Sequence, residues 1–399
     1  MKRRPQDNNR PSVRMDQDLS NGHVSKLGLV LSGGGSRAAY QVGALKALIP
    51  WLSAKDHNVS VVVGSSIGSI NGLLFSACIK NGVADSVAQL QALWEERNFR
   101  NTFAGSASQT FVRAIRLVMH QYTSPGPKAT NLAIFDPSPL MKRVDDTIRE
   151  YGGLNPDSRA PFLDSVSVMT TIEGAERKPL LFASSHKKLD TELLNGASFD
   201  ICYVNELSAK HGFASAALPS VLPPVELDTE NGKVRLVDGG ISQNVPVDPA
   251  VRFGAEKVIV VDVSGRNWWL DHYGEAHDTR PTWEVPAADQ TFCMRPPEIF
   301  VARCQKPLGP ILKSVVGTTT TKFIKAVGPL WPIFSILRKK MGEELAYEVI
   351  SYVALNQDYI HGLIEAGYNE TIKLLNNRRD LEFKPLDTET VNLGAAPIK

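Results

Sequence analysis

Cysteine is scarce in this chain and forms no motif. Among 399 residues only Cys78, Cys202, Cys293 and Cys304 occur, and no two have C-x-x-C spacing. Neither a zinc site nor a thiol-redox motif is therefore indicated. Residues 1–25 contain basic side chains but no apolar stretch, so a secretory signal is not expected. The polar run there, including Asn8, Asn9, Asp16 and Asp18, reads as a disordered leader. These absences favour a reducing cytoplasm, although secretion without a signal leaves no mark in a sequence. No internal repeat, low-complexity run or EF-hand calcium loop is present. Long apolar runs are also missing, with one exception. Residues 58–79 carry no charge over 22 positions, enough to span a bilayer. Five serines, three glycines and Asn71 interrupt them, and a strand, a turn and a helix explain the stretch better.

That stretch holds the most informative pattern. Gly64-Ser65-Ser66-Ile67-Gly68 is a G-x-S-x-G sequence. The β-branched run Val59-Ser60-Val61-Val62-Val63 precedes it, and helix-compatible residues 69–79 follow. Strand, tight turn and helix form the context of a nucleophile elbow, in which a strained central serine is lifted clear of the sheet. Glycines at both flanks let the two backbones pass.

A second turn lies upstream. The strand-like run Lys26-Leu27-Gly28-Leu29-Val30-Leu31 enters Ser32-Gly33-Gly34-Gly35-Ser36-Arg37, and a helical pattern spans 38–52. Three glycines at a helix start expose backbone N–H groups to an anion. In a serine hydrolase that anion is the tetrahedral oxyanion. Arg37 either adds positive charge and fixes this loop or makes a surface ion pair. A dinucleotide fingerprint also fits Gly33-x-Gly35-x-x-Ala38, with Asp56 downstream. Asp56 precedes the second strand rather than ending it, so that reading loses its ribose contact.

The third element is Val234-Arg235-Leu236-Val237-Asp238-Gly239-Gly240, a short strand delivering an aspartate into a glycine turn. With these three elements in order, the chain resembles the patatin-like phospholipases. Residues 213–219, Leu222-Pro223-Pro224, Asn244-Val245-Pro246-Val247 and Leu363-Ile364-Glu365-Ala366-Gly367-Tyr368 agree with the family. Ala38 stands where many members carry glycine, and Gly212-Phe213 where many carry an arginine. The resemblance implies an α/β fold: a three-layer sandwich with a mainly parallel central sheet, plus a helical C-terminal extension. It also implies a Ser66–Asp238 dyad, oxyanion donors from Gly33, Gly34 and Gly35, and support from Arg37, Gly64, Gly68, Gly239 and Gly240. No cofactor or metal is called for.

A carboxylate is a feeble base at its ordinary pKa of about 3.9, and desolvation would improve it. A triad in the hydrolase chain order needs a histidine after the acid. His272 and His277 stand in a polar stretch that reads as a solvated loop, and His361 reads as a surface group. The dyad is the preferred reading. A non-catalytic lipid- or nucleotide-sensing module with the same fold is the alternative.

Net charge is only +2, but its distribution is regional. Residues 97–135 hold five basic and no acidic side chains, and residues 295–340 hold nine basic and one acidic. In both regions the charge is interleaved with bulky apolar groups, which suits a membrane surface rather than nucleic acid. Phe111, Ile115, Val118 and Met119 make one helical stripe, with Arg113, Arg116 and His120 on another face. An interfacial helix and an ordinary core-packed helix fit this equally. The second region brings Lys322, Lys325, Arg338, Lys339 and Lys340 close to Trp331 and other apolar residues, and membrane contact is the preferred reading there. The expected partners are an acyl-ester lipid and an anionic membrane surface, and oligomeric state is left open. The expected organisation is a leader (1–25), a catalytic core (26–265, with an insertion at about 95–160), an irregular connection and helical extension (266–377), and a polar tail (378–399).

Overall fold

Alternate residues of each buried strand face opposite sides of a central sheet, so the core divides into two clusters. Leu27, Leu29 and Leu31 lie on one side and Val30 on the other. Val62 opposes Val61 and Val63, while Ile259 and Val261 oppose Val258 and Val260. Burial on both faces is why these strands read as continuous apolar runs. The computed structural model describes residues 25–53, 57–106, 108–110, 112–113, 116, 132–264, 297–317, 320–375 and 384–385.

The strands are β1 (Ser25–Leu31), β2 (His57–Ser65), β3 (Ser165–Ile172), β4 (Pro179–Ser185), β5 (Asp200–Tyr203), β6 (Val225–Thr229), β7 (Gly232–Val237), β8 (Lys257–Asp262), β9 (Glu298–Arg303) and β10 (Lys384–Pro385). Their order is β10-β9-β8-β1-β2-β3-β4-β5, with the β6–β7 hairpin attached to the end of β3. From β9 through β8, β1 and β2 to β3 every pairing is parallel. The larger cluster lies under the helices Ala39–Leu52, Ile67–Cys78, Val83–Glu95, Ser138–Glu150 and Gln357–Leu375. The helix Val247–Arg252 covers the smaller one. This is a three-layer α/β architecture with a mainly parallel sheet and a helical C-terminal extension.

The sheet runs two strands further than the sequence pattern suggests, through β9 to β10 at the edge. Lys257–Asp262 reads as the last strong strand, yet β9 pairs with it in parallel across six residues. Glu298 and Arg303 at its ends dilute the apolar signal of Ile299, Phe300, Val301 and Ala302. The closing helix Gln357–Leu375 crosses Ala39–Leu52 unusually closely. A Cβ on Gly43 would lie 1.8 Å from the Ile364 carbonyl oxygen, and one on Gly367 would lie 2.1 Å from that of Tyr40. Residues 1–24 and 386–399 and most of the expected irregular connection (265–296) lie outside the described residues. Among those described, no helix is long and apolar enough to cross a membrane.

Candidate active site

Ser66 sits between β2 and the helix Ile67–Cys78, with φ +52° and ψ −133°. A positive φ on a non-glycine residue costs on the order of 1–3 kcal/mol, and such strain gathers at functional turns. The flanking glycines make the turn possible. A Cβ on Gly64 would lie 2.4 Å from Ser69 Cα, and one on Gly68 would lie 2.4 Å from the Ser32 carbonyl oxygen. The Ser66 amide donates to Ser215 Oγ at 2.8 Å, and Ser215 Oγ donates to the Met169 carbonyl. Ser69 Oγ donates to the Ser66 carbonyl at 2.6 Å, and Ser65 Oγ donates to the Gln243 carbonyl at 2.7 Å. Ser215, Ser69 and Gln243 support the turn, and no periodicity or spacing marked them out. Gly212, in the segment where many family members carry an arginine, packs tightly: a Cβ there would meet Leu73 Cδ1 at 2.9 Å.

Strand β7 delivers Asp238 to the same point. Ser66 Oγ donates to Asp238 Oδ2 at 2.6 Å, and the Gly240 amide donates to Asp238 Oδ1 at 2.7 Å. The aspartate backbone is held at both ends: its N–H donates to the Ala217 carbonyl at 3.0 Å, and its carbonyl accepts from Thr171 Oγ1 at 2.8 Å. Gly239 lets this turn lie against the sheet, since a Cβ there would be 2.1 Å from the Met169 carbonyl oxygen. Burial pushes the Asp238 carboxyl up to about 6, against the lowering effect of the hydrogen bonds from Ser66 and Gly240. A buried carboxylate with that value matches proton transfer near neutrality far better than an ordinary aspartate does.

The glycine loop divides its amides. Gly33 N–H donates to the Asn244 carbonyl at 3.2 Å. The Gly34 and Gly35 amides have no hydrogen-bond acceptor among the described residues. Of the three sequence-derived oxyanion donors, Gly33 is thus already engaged, and its place is one of close approach: a Cβ there would stand 2.7 Å from Ser66 Cβ. Gly35 has φ +58°, and a Cβ on it would lie 2.2 Å from the Tyr352 carbonyl oxygen. That carbonyl accepts the Ser36 amide at 2.7 Å.

Arg37 is wholly buried and makes no surface ion pair. Its Nη2 lies 2.7 Å from Glu348 Oε1, its Nε donates to Ser351 Oγ at 2.8 Å, and its guanidinium stacks 3.7 Å from the Tyr352 ring centroid. It ties the glycine loop to the C-terminal helical layer rather than facing Ser66. His361 is exposed on the closing helix, 4.0 Å from Glu95, and His272 and His277 lie outside the described residues.

A cavity of about 460 Å³ opens from this point. Ser66, Asp238, Gly33, Gly34 and Gly35 line one part, and Ile70, Leu74, Trp94, Phe103, Leu140, Phe213 and Leu222 line much of the rest. Tyr352, Val353 and Leu355 complete the wall from the C-terminal layer. An apolar pocket of this size with a few convergent polar groups is the usual form of a small-molecule site.

The family comparison agrees with the elements found. The model of the patatin-like phospholipase family matches residues 29–251. The chain belongs to this family. Patatin-like phospholipase domain-containing protein 7 of Mus musculus is 27% identical over 274 residues, covering 68% of this chain and 16% of the relative. Neuropathy target esterase sws of Drosophila melanogaster is 24% identical over 260 residues, covering 62% and 14%. The chain thus spans about a sixth of the length of the curated relatives it matches. Among solved structures, human GIVD cytosolic phospholipase A2 with methyl gamma-linolenyl fluorophosphonate covers 90% of this chain and 58% of its own, at 12% identity and a TM-score of 0.40. Full-length ExoU of Pseudomonas aeruginosa, in complex with SpcU, covers 60% and 44% at 14% identity and a TM-score of 0.29. Tyr352, Val353 and Leu355 fall beyond the patatin-like match, so the cavity of this chain draws on residues outside the family's common segment.

The expected membrane-facing groups are separated by the structure. Arg113 is half-buried and lies 4.0 Å from Asp136, while Arg116 is exposed. Their apolar companions Phe111, Ile115, Val118 and Met119 lie outside the described residues. In the second region Phe323 and Phe334 turn inward and pack with Tyr347. Ile324, Trp331, Ile336 and Met341 stay exposed, as do Lys322, Lys325, Arg338, Lys339 and Lys340.

Proposed function

We propose that this chain is a serine acyl hydrolase that cleaves fatty-acyl esters of membrane glycerolipids, phospholipids foremost, through Ser66 and Asp238. The observation that carries this reading is the 2.6 Å hydrogen bond from Ser66 Oγ to a desolvated Asp238 at the edge of an apolar cavity. The acyl chain occupies the cavity and presents its ester carbonyl to Ser66. Ser66 Oγ attacks the carbonyl carbon as its proton passes to Asp238. The Gly34 and Gly35 amides hold the oxyanion, a contribution usually worth several kcal/mol. Collapse breaks the ester bond, and Asp238 returns the proton to the departing lysolipid oxygen. Water then attacks the acyl-enzyme with Asp238 as base, releasing fatty acid and restoring Ser66. No step is routed through a metal.

The test is fatty acid release from mixed-chain phospholipid vesicles with chelator present. Wild type should release one chain preferentially, and Ser66→Ala should abolish release while keeping its melting profile. Unchanged release by Ser66→Ala rejects the assignment. A folded wild type that releases nothing favours the non-catalytic sensing module instead.

The exposed Lys322, Lys325, Arg338, Lys339 and Lys340, beside Trp331, Ile324 and Ile336, form the surface that meets an anionic bilayer in this reading. Each surface cation contributes about 1 kcal/mol near such a membrane, and salt screens it. Co-sedimentation with phosphatidylserine-containing vesicles should weaken at least about tenfold between low salt and roughly 0.5 M. Binding that is unchanged by salt removes these residues from the interface.

A further inference from the structure

Two charged side chains line the cavity among the described residues, Asp238 and Arg97. Arg97 follows the helix Val83–Glu95 and is only 4% exposed. Its Nε donates to the Leu93 carbonyl at 2.7 Å, and its Nη2 pairs with Glu96, a carboxylate that Arg143 also contacts at 3.1 Å. Its Nη1 is buried and has no hydrogen-bond partner among the described residues. Arg37 Nη1 shares that state, but Arg37 is stacked on Tyr352 and does not line the cavity. Burial draws the Arg97 guanidinium below its ordinary value, opposed by Glu96, and a guanidinium remains charged at neutral pH.

Its position is set by a helical hairpin. The chain reverses at 79–82, so Val83–Glu95 runs back along Ile67–Cys78. Trp94 Nε1 donates to Asn71 Oδ1 at 2.9 Å, which fixes the register of the two helices. Asn71 lies one turn beyond Ser66, and Arg97 lies three residues beyond Trp94 in the returning direction. At about 1.5 Å per residue, Arg97 comes back to within roughly one turn of the level of Ser66. By this count Arg97 lies in the cavity wall at about the level of Ser66, nearer to it along the helix pair than Leu74.

With Ser66 as the nucleophile, as proposed above, we propose that Arg97 receives the phosphodiester of a glycerophospholipid and so selects phosphate-bearing acyl esters over uncharged ones. A buried guanidinium N–H without a partner in the wall of an apolar cavity gains most from an anion, because the hydrogen bond is charge-assisted and the local dielectric is low. Arginine's planar fork also suits phosphate oxygens better than lysine's point charge does. An uncharged glyceride leaves the donor unpaired, and sites built this way reject ligands that lack the matching group. The phosphate of a glycerophospholipid lies only a few bonds from its acyl esters, within reach of a group at about the level of Ser66.

Short-chain phosphatidylcholine below its micellar concentration and the p-nitrophenyl ester of the same acid separate this role from attraction to a membrane surface. In the full chain, Arg97→Met should lower kcat/KM for the phosphatidylcholine at least tenfold. Turnover of the p-nitrophenyl ester should stay within about twofold, and Arg97→Lys should recover part of the loss. An equal fall on both substrates makes Arg97 merely structural, and no fall on either overturns the proposal. A binding arm needs no turnover: Ser66→Ala with and without Arg97→Met is titrated with decyl phosphate, decanol and inorganic phosphate. Decyl phosphate should weaken at least tenfold without Arg97, and decanol should not. Equal decyl phosphate affinity in both proteins overturns the assignment. Inorganic phosphate binding as tightly as decyl phosphate replaces the lipid headgroup with a free-anion site. A wild type that cleaves neither ester rejects the hydrolase reading, and the binding arm then judges Arg97 alone.

Discussion

Asp238→Asn is expected to lower acyl-ester turnover by about a thousandfold and yet to raise the melting temperature at pH 8. The turnover loss follows from removing a general base, which typically contributes about 10²–10⁴-fold. The stability gain follows from burial. The Asp238 carboxyl titrates at about 6 in the folded chain, against about 3.9 unfolded. Below pH 4 both states hold the proton. Between about pH 4 and pH 6 the unfolded carboxylate ionises while the folded one stays protonated, so stability falls as pH rises. Above that window the full effect is present, on the order of 3 kcal/mol for a difference of about two pKa units. Asparagine removes this slope while its amide still offers partners to Ser66 and Gly240, so part of that energy should return. Wild-type activity on a soluble ester should climb from pH 5 and level off above pH 7. Thermal unfolding of both proteins at pH 4 and pH 8 checks the stability half. An asparagine variant that melts below wild type by the same margin at both pH values rejects a desolvated carboxylate.

Removing one partner of the Arg37–Glu348 pair should be the most destabilising single change outside the hydrophobic core. Both side chains are essentially inaccessible to solvent, and Glu348 also accepts the Gly309 amide at 2.6 Å. Breaking a buried pair leaves a charge with no partner, at a cost of about 3–5 kcal/mol. Glu348→Ala and Arg37→Met should each lose that much in urea unfolding. Replacing the two together, with Arg37→Met and Glu348→Leu, should recover much of it, because both charges leave at once. Activity should fall as well in the single variants. Ser351 and Tyr352 hold Arg37, and Tyr352 both accepts the Ser36 amide and lines the cavity. Losses below about 1 kcal/mol, or a double variant equal to the sum of the singles, would show that the pair does not act as a unit.

Much of the candidate site is legible in the sequence because its parts are local. A serine turned out between a strand and a helix needs glycines within two residues, and Gly64 and Gly68 stand there. A backbone that approaches Ser66 needs a residue without a Cβ, and Gly33 stands there. Asp238 is legible locally only as a turn, since a strand ends in Asp-Gly-Gly, and its part in the site is what the family resemblance implies. Arg37 was only half legible. Its place beside the glycine loop is local, but its burial depends on Glu348, which is 311 positions away. Arg97 appeared in the sequence as one member of a surface-like basic run. Its burial at the end of a helix, with one nitrogen unpartnered, depends on how two helices pack.

The sequence by itself determined the α/β class, the strand–turn–helix units and the turns that carry Ser66 and Asp238, because each depends on hydrophobic period and glycine placement within a few residues. The pairing of those two groups is what the family resemblance implies. Only the tertiary structure decided the rest. It showed that Gly33 N–H is taken by Asn244, that burial lifts the Asp238 carboxyl, that the C-terminal layer walls the cavity, and which basic residues face inward. Desolvation, ion pairing and cavity shape are properties of side chains brought together from distant parts of the chain. No local pattern encodes them.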